Sequence, residues 1–329
     1  MGRMNAYDNW GIIGHRWAVE MLVRRLASGR ISHVYLITGA PGSGRSTLAL
    51  RLAQAMNCTG SPVPCGVCRS CDLTAREGHA DIHRLVPDGR SIKIEQVRNL
   101  QHDLMLRPVE ASYRVAIIEE AQSATSHAAD ALLKTLEEPP PTTRLILTAD
   151  AAENVLPTIV SRCQMIALRP VAAGEIAQAV ADRFAFSGDD AATLARIAGG
   201  RPGWALRAAQ DEALLTARAE IFDGLLAALS TDRGGRFNYV EEIYRSDTLP
   251  LILDTWQSWW RDVLLLAVGS STPPVNVDRM MDLERVAASV TPEEARRALL
   301  ATRQTIDALD RNANTRLALD VLMLDMPFL

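Results

Sequence analysis

One run of residues decides the fold of this chain: Gly39-Ala40-Pro41-Gly42-Ser43-Gly44-Arg45-Ser46-Thr47. A short β-branched and aromatic run at 33–38 precedes it, and a segment of helical periodicity at 47–57 follows it. A glycine-rich turn between a strand and a helix directs backbone N–H groups and the helix N-terminus toward an anion. The run therefore predicts a phosphate-binding loop carried by a parallel sheet.

The loop departs from the usual pattern G-x-x-x-x-G-K-[ST] because Arg45 stands where the lysine is expected. Lysine is a compact point charge, whereas arginine is longer, planar and forked, so the exchange is not conservative. Simple arginine-for-lysine drift is the alternative, since Lys93 and Lys134 are the only lysines of the chain. We favour a nucleotide site that has lost catalysis, and we leave open whether it binds ATP. Its predicted loop residues are Gly39, Gly42, Gly44, Arg45, Ser46 and Thr47.

Further strands are predicted at 115–118 and 144–148, with a helix at 128–136 between them. Strands that alternate with helices indicate an α/β domain with a parallel sheet covered on both faces. The first of these strands ends in Glu119-Glu120, which resembles the second nucleotide motif, where Asp assists Mg²⁺ and the next acid orients water. Glu119 is one methylene longer than that Asp. A buried strand that ends in solvated acids is the alternative interpretation.

Four of the five cysteines lie close together in the sequence, at Cys58, Cys65, Cys68 and Cys71. Two-residue spacers allow consecutive sulfurs to converge on one tetrahedral ion. The cluster predicts a structural zinc site without an open position, and a redox Cys-x-x-Cys pair is the weaker alternative. Such usage is typical of a reducing compartment. The fifth cysteine, Cys163, is predicted to be a core thiol.

The chain has 329 residues, 48% of them hydrophobic, and a formal net charge of −4. This balance excludes a disordered or low-complexity protein. It provides no overall attraction to nucleic acid or to anionic membranes. The longest aliphatic run, at 263–268, is far too short to span a bilayer, and no secretion signal is visible. We therefore expect a cytoplasmic protein without membrane contact.

The length suggests two or three domains. No strand signal follows residue 171, so the remainder is predicted to be helical. We predict an ATPase-like α/β domain at 1–170, a small helical domain at 171–232 and a C-terminal helical domain at 233–329.

Two further runs are decisive: Ala131-Leu132-Leu133-Lys134-Thr135-Leu136-Glu137-Glu138-Pro139-Pro140 and Pro157-Thr158-Ile159-Val160-Ser161-Arg162-Cys163-Gln164. Together with the phosphate loop and the cysteine module, they resemble bacterial clamp-loader subunits of the AAA+ class, from about Gly14 to Pro170. Residues 312–319 resemble the last collar helix of that family more weakly. The resemblance implies an AAA+ RecA-like domain with a zinc module, then a helical lid and an all-α collar.

The resemblance also implies roles for single residues. Arg162 would be an arginine finger that acts in trans at the ATP site of a neighbouring subunit, and Thr148 would occupy the sensor position. Without the resemblance, Arg162 is predicted to form a surface salt bridge, and Thr148 is predicted to be an ordinary residue at a strand end. In active members an arginine that senses the γ-phosphate stands at the position of Gly203.

Three departures, at Arg45, Glu119 and Gly203, imply the non-hydrolysing kind of subunit in the DNA polymerase III holoenzyme. The implied function is architectural: a ring member that helps to load the sliding clamp onto primed DNA. The implied partners are the gamma/tau and delta subunits, with the clamp and the DNA contacted through the complex. One alternative is a gamma/tau-type ATPase that hydrolyses ATP itself. The other is a free-standing zinc-containing DNA-binding protein, which the near-neutral charge disfavours.

Overall fold

The computed structural model describes residues 8–311 and 313–329. Asn312, the first residue of the weaker resemblance, lies outside them. The chain divides into two compact units. Unit 1 holds the described residues up to Ala179 together with Gly200–Trp204, and unit 2 holds Val180–Gly199 and the described residues from Ala205 onward. The division into three domains at 170 and 232 stays a prediction.

The sheet of unit 1 is parallel, with the strand order β2-β3-β4-β1-β5. Its strands are β1 (Val34–Thr38), β2 (Ile82–Leu85), β3 (Arg114–Ile118), β4 (Thr143–Ala149) and β5 (Gln164–Ala167). The three predicted strands are β1, β3 and β4, which are buried along their whole length. The sequence did not predict β2 and β5. Both are short, partly exposed edge strands with polar residues, so they lack the apolar run that marks a central strand.

Helices cover both faces of this sheet. They are α1 (Arg16–Ala27), α2 (Arg45–Asn57), α3 (Arg69–Ala75), α4 (Ile94–Met105), α5 (Ser126–Glu137) and α6 (Pro157–Val160). Alternate residues of β1 belong to different cores, because Leu36 packs in the cluster with α4 and α5 while Ile37 packs in the cluster with α1 and α2. The α/β domain predicted from the sequence is therefore confirmed.

The remaining helices are α7 (Ala173–Arg183), α8 (Gly188–Ile197), α9 (Pro202–Gln210), α10 (Ala213–Leu229), α11 (Arg233–Ile243), α12 (Leu249–Ala267), α13 (Met280–Ser289), α14 (Pro292–Asp310) and α15 (Thr315–Asp325). Short 3₁₀ turns lie at Asp8–Trp10, Ala121–Ser123, Ala152–Asn154 and Val277–Arg279. Within its described residues unit 2 contains no strand, as the sequence predicts. None of the described helices is long and apolar enough to cross a bilayer.

Aromatic residues and one buried arginine hold unit 2 together. Trp256, Trp259 and Trp260 are completely buried in its apolar core. Arg236 is 1% exposed and donates to the carbonyls of Met323, at 2.7 Å, and Pro327, at 2.6 Å. Burial lowers the pKa of the Arg236 guanidinium. Met323 lies in the last turn of α15 and Pro327 just beyond the helix. The arginine therefore satisfies acceptors that a helix end leaves unpaired.

Candidate nucleotide site and metal centre

The carboxyl ends of three neighbouring strands bring the predicted nucleotide-site residues together. The glycine-rich loop leaves β1, Glu119 follows β3, and Thr148 lies near the end of β4. The strand register pairs Thr38 with Ala149 and Ile118 with Leu147, so these ends are level in the sheet. Ligands of open parallel sheets bind at this edge, where the connections diverge to opposite sides.

The loop is packed against a second segment of unit 1. Gly42 and Gly44 have φ angles of 82° and 100°, which glycine adopts without strain. The Gly203 amide donates to the Gly42 carbonyl at 2.8 Å. A Cβ atom on Gly203 would lie 3.0 Å from that oxygen. The main chain around Gly203 therefore closes tightly onto the loop at the position where the family resemblance would place a γ-phosphate sensor.

Arg45 turns back onto the loop that carries it. Its side chain is buried, and Nη1 donates to the carbonyl of Gly39 at 2.7 Å. Its Nη2 lies 4.0 Å from Oε1 of Glu120. The guanidinium is thus engaged by the protein's own acceptors, whereas a phosphate-loop lysine extends toward the phosphates.

Glu119 is bound on both of its carboxylate oxygens. The Ser46 hydroxyl donates to Oε2 at 2.7 Å, and Nε of Arg84 donates to Oε1 at 2.5 Å. Arg84 lies on β2 and also forms an ion pair with Glu77. Burial alone would lower the pKa of Arg84, but the two carboxylates outweigh burial and raise it. Arg84 therefore carries a firmly held positive charge beside Ser46 and Glu119.

The other predicted residues of this site differ in exposure. Thr148 is completely buried, and its Oγ1 accepts the amide of Glu120 at 3.2 Å. Glu120 has a left-handed backbone, with φ of 52°, and its side chain is half exposed. Thr47 is exposed in the first turn of α2. The structure thus connects Glu120 to Thr148, while Thr47 faces outward.

A pocket of about 690 Å³ adjoins this loop within unit 1. Its walls include His15, the half-exposed Trp17 and Pro170. Nε2 of His15 lies 3.1 Å from the carbonyl of Ser43, and burial lowers the pKa of His15. The chain therefore has a ligand-sized pocket next to a loop whose charges are internally paired.

Arg162 lies at the surface between α6 and β5. Its Nη2 contacts Oε1 of Glu137 at 2.7 Å, and its Nη1 donates to the carbonyl of Thr158 at 2.8 Å. The side chain remains 37% exposed. Because β5 is an edge strand, the guanidinium is presented at the rim of the sheet, and one carboxylate orients it.

The four clustered cysteines form a compact donor set. The sulfurs of Cys58, Cys65, Cys68 and Cys71 lie within 4.8 Å of one another. Backbone amides of Cys65 and Cys68 donate to the sulfurs of Cys58 and Cys65, at 3.3 and 3.2 Å. A Cβ atom on Gly60 would lie 2.7 Å from the sulfur of Cys65, so glycine permits this close approach. Four converging sulfurs with amide donors fit a tetrahedral metal ion.

The cysteines differ in their readiness to ionise. Burial opposes ionisation of Cys68, yet amide donors outweigh it and lower the pKa to about 6. Burial raises the pKa of the Cys71 thiol. Cys163 lies outside the cluster, donates to the carbonyl of Ile159 at 3.1 Å, and has its pKa raised by burial to about 12. Cys163 is therefore a partly buried, hydrogen-bonded thiol, separate from the metal-binding set.

Side chains of unit 1 anchor the cysteine module. Gln54, which is almost completely buried, donates to the carbonyl of Cys71 at 2.8 Å. The indole of Trp10 donates to the carbonyl of Val63 at 3.2 Å. Ser70 and His79 are hydrogen-bonded at 3.1 Å. A change in the module would therefore be transmitted to α2 and to the described N-terminal residues.

Sequence reasoning assigned no role to Arg84 or Glu137. Arg84 lies on the unpredicted strand β2 and meets Glu119 only through the pairing of β2 with β3. No local sequence pattern indicates that contact. Glu137 belongs to the run around Lys134, and its position near Arg162 depends on the packing of α5 against α6.

The fold and this site define a parallel α/β domain with a glycine-rich loop of the phosphate-binding type, followed by a helical unit. Residues 14–172 match the family described as DNA polymerase III, delta subunit. The chain is thus similar to subunits of DNA polymerase III, and the matched segment is just under half of its length. It is 28% identical to DNA polymerase III subunit delta′ of Bacillus subtilis over 315 residues, which cover 93% of this chain and 94% of that relative.

Other similar proteins match over less of their own length or at lower sequence identity. The tau subunit of Escherichia coli is 33% identical over 160 residues, which are 48% of this chain but 25% of that protein. Among solved structures, a gamma-subunit-related protein of Thermotoga maritima is 17% identical with a TM-score of 0.41. That match covers 93% of this chain and 97% of the other.

Proposed function

We propose that this chain is a delta′-type ring member of a clamp loader that does not hydrolyse ATP and supplies Arg162 to a neighbouring subunit. The observation that carries the proposal is the position of Arg45. Its guanidinium is buried and donates to the Gly39 carbonyl. The positive charge that would otherwise contact a phosphate is therefore paired with the loop's own backbone. Glu119, bonded to Ser46 and Arg84, supports the same conclusion.

The exposed guanidinium of Arg162 supports its role as a finger. In phosphoryl transfer, negative charge accumulates on the transferring group, and an arginine from a neighbour stabilises that charge. Arg162 lies at a sheet edge with more than a third of its side chain exposed, and Glu137 fixes its direction. A neighbouring subunit could therefore meet the guanidinium without rearrangement of the sheet.

Unit 2 supports assembly into a ring. On α15, Leu317, Val321 and Leu324 are 63%, 51% and 49% exposed. Their spacing places them on one face of the helix, beside a groove of about 270 Å³ lined by α14 and α15. Apolar faces of this kind mark protein contacts. The partners that we propose are gamma/tau and delta subunits, with the sliding clamp and primed DNA met through the complex.

We also propose that the four cysteines bind one structural zinc ion. The donor set has only sulfur and leaves no position for a substrate, as in closed structural sites. The ion would stabilise the loop between α2 and α3, which contains neither helix nor strand.

Reconstitution tests the proposed function directly. Mixed with gamma/tau and delta subunits of the same organism, the chain should elute as part of one complex and should be required for loading the sliding clamp onto primed DNA. A Leu317→Asp, Val321→Asp variant should fold but elute apart from the complex. Loading that proceeds at the full rate without the chain would contradict the proposal.

A further inference from the structure

The charged cluster around Glu119 differs from a magnesium site in one respect. In phosphate-loop enzymes, Mg²⁺ is held by the loop Ser or Thr and by the acid that ends the neighbouring strand. Ser46 and Glu119 hold these positions and are bonded to each other at 2.7 Å. That bond alone is compatible with a metal, because the hydroxyl retains lone pairs. Whether a metal ion fits therefore depends on the contacts of the other Glu119 oxygen, Oε1.

Arg84 donates a hydrogen bond to this second oxygen of Glu119. Its Nε lies 2.5 Å from Oε1 of Glu119, whose side chain is only 14% exposed. The same guanidinium is paired with Glu77, so two carboxylates hold it in place. Arg84 is anchored on β2 by pairing with β3, the strand that leads into Glu119. The pairing of the two strands therefore places the Arg84 side chain, which is 41% exposed, beside Glu119.

A divalent ion fits this arrangement poorly. Mg²⁺ requires near-octahedral oxygen ligands at about 2.0–2.1 Å and gives up its waters reluctantly. A metal placed on Ser46 and Glu119 would lie close to a fixed guanidinium and would be repelled by it. Arg45 adds a second positive charge near Glu120, at 4.0 Å. The residues present do not fit the metal that the motif normally binds.

We propose that Arg84 is a resident cation that replaces Mg²⁺ at Glu119, so that this site excludes divalent metal. The inference deepens the proposed function and rests on it, because it gives a reason for the lack of hydrolysis. It makes Arg84 a specificity-determining residue for the site. Any nucleotide that entered the loop would bind in a metal-free form.

The test measures Mn²⁺ binding by electron paramagnetic resonance on the zinc-loaded full chain with ADP present. Arg84→Met should bind Mn²⁺ at least about tenfold more tightly than the wild type, because a fixed positive charge is removed. Adding Ser46→Ala to that variant should abolish the gain, which places the new metal at the loop. The matched control is Glu77→Gln, which breaks the other ion pair of Arg84 but leaves its bond to Glu119, so Mn²⁺ affinity should stay at the wild-type level.

Equal Mn²⁺ affinity in the wild type and in Arg84→Met would overturn the inference, as would a gain that survives Ser46→Ala. The wild-type chain provides a second test that does not depend on the folding of Arg84→Met. Its Mn²⁺ signal should not change on Ser46→Ala, and a Mn²⁺ site lost with Ser46 would refute metal exclusion. If the wild-type chain binds Mn²⁺ through Ser46 but does not turn over ATP, the inference about Arg84 fails and the proposed function stands. The inference and the proposed function can therefore fail separately.

Discussion

Replacing Arg162 by alanine is expected to slow ATP hydrolysis at the neighbouring site of a reconstituted clamp loader by about 10³–10⁵-fold. In the proposed finger role the guanidinium would stabilise charge that forms only in the transition state, so nucleotide binding by the neighbour should change little. The measurement is pre-steady-state phosphate release. The amplitude of its fast phase should fall by the fraction that this one site contributes. Arg162→Lys should recover little, because an ammonium does not reproduce the planar fork.

The ion pair with Glu137 provides a matched control for Arg162. Both Arg162→Ala and Glu137→Ala remove the 2.7 Å contact, but only the first removes the guanidinium. Glu137→Ala should therefore keep most of the hydrolysis rate, because the guanidinium still donates to the carbonyl of Thr158. Equal losses in the two variants would assign Arg162 a purely structural role, and an unchanged rate in Arg162→Ala would refute the finger.

Removal of the metal is expected to have the second-largest effect. The purified chain should contain one zinc per chain, bound by the four sulfurs that lie within 4.8 Å. Chelation should lower the free energy of unfolding by about 3–5 kcal/mol, as large losses follow the removal of a structural metal. The physical reason is that Gln54 and Trp10 are bonded to carbonyls of the module, so its loosening also exposes buried groups of unit 1.

Cysteine variants separate this effect from general damage by substitution. Cys68→Ser should lose zinc and should melt at a lower temperature, as the chelated wild type does. Cys163→Ser, outside the cluster, should keep its zinc and should melt near the wild-type temperature. Elemental analysis and thermal melting monitored by circular dichroism give the two readouts. Zinc-free protein with an unchanged melting temperature, prepared under reducing conditions, would contradict the zinc proposal.

Much of the fold could be predicted because its signals are local. The phosphate loop, β1, β3, β4 and the cysteine spacing are all contained in short runs. The strands β2 and β5 could not be predicted, since edge strands lack the continuous apolar pattern. The helical content after residue 171 followed from the absence of strand patterns.

The candidate site was only partly predictable for the same reason. Arg45 and Glu119 are visible as departures from a motif, but their partners are not. The Arg84–Glu119 contact joins residues 35 positions apart, and the Gly203–Gly42 contact joins the loop to the start of α9. Both depend on tertiary packing, so the sequence shows altered motifs but does not show how their charges are satisfied.

The central claim is that this chain does not hydrolyse ATP, and turnover by the isolated chain tests it most directly. The purified, zinc-loaded protein should release phosphate from ATP no faster than its own Glu120→Gln variant, with or without primed DNA. Turnover that primed DNA stimulates and that Glu120→Gln abolishes would contradict the account and would identify a working gamma/tau-type ATPase.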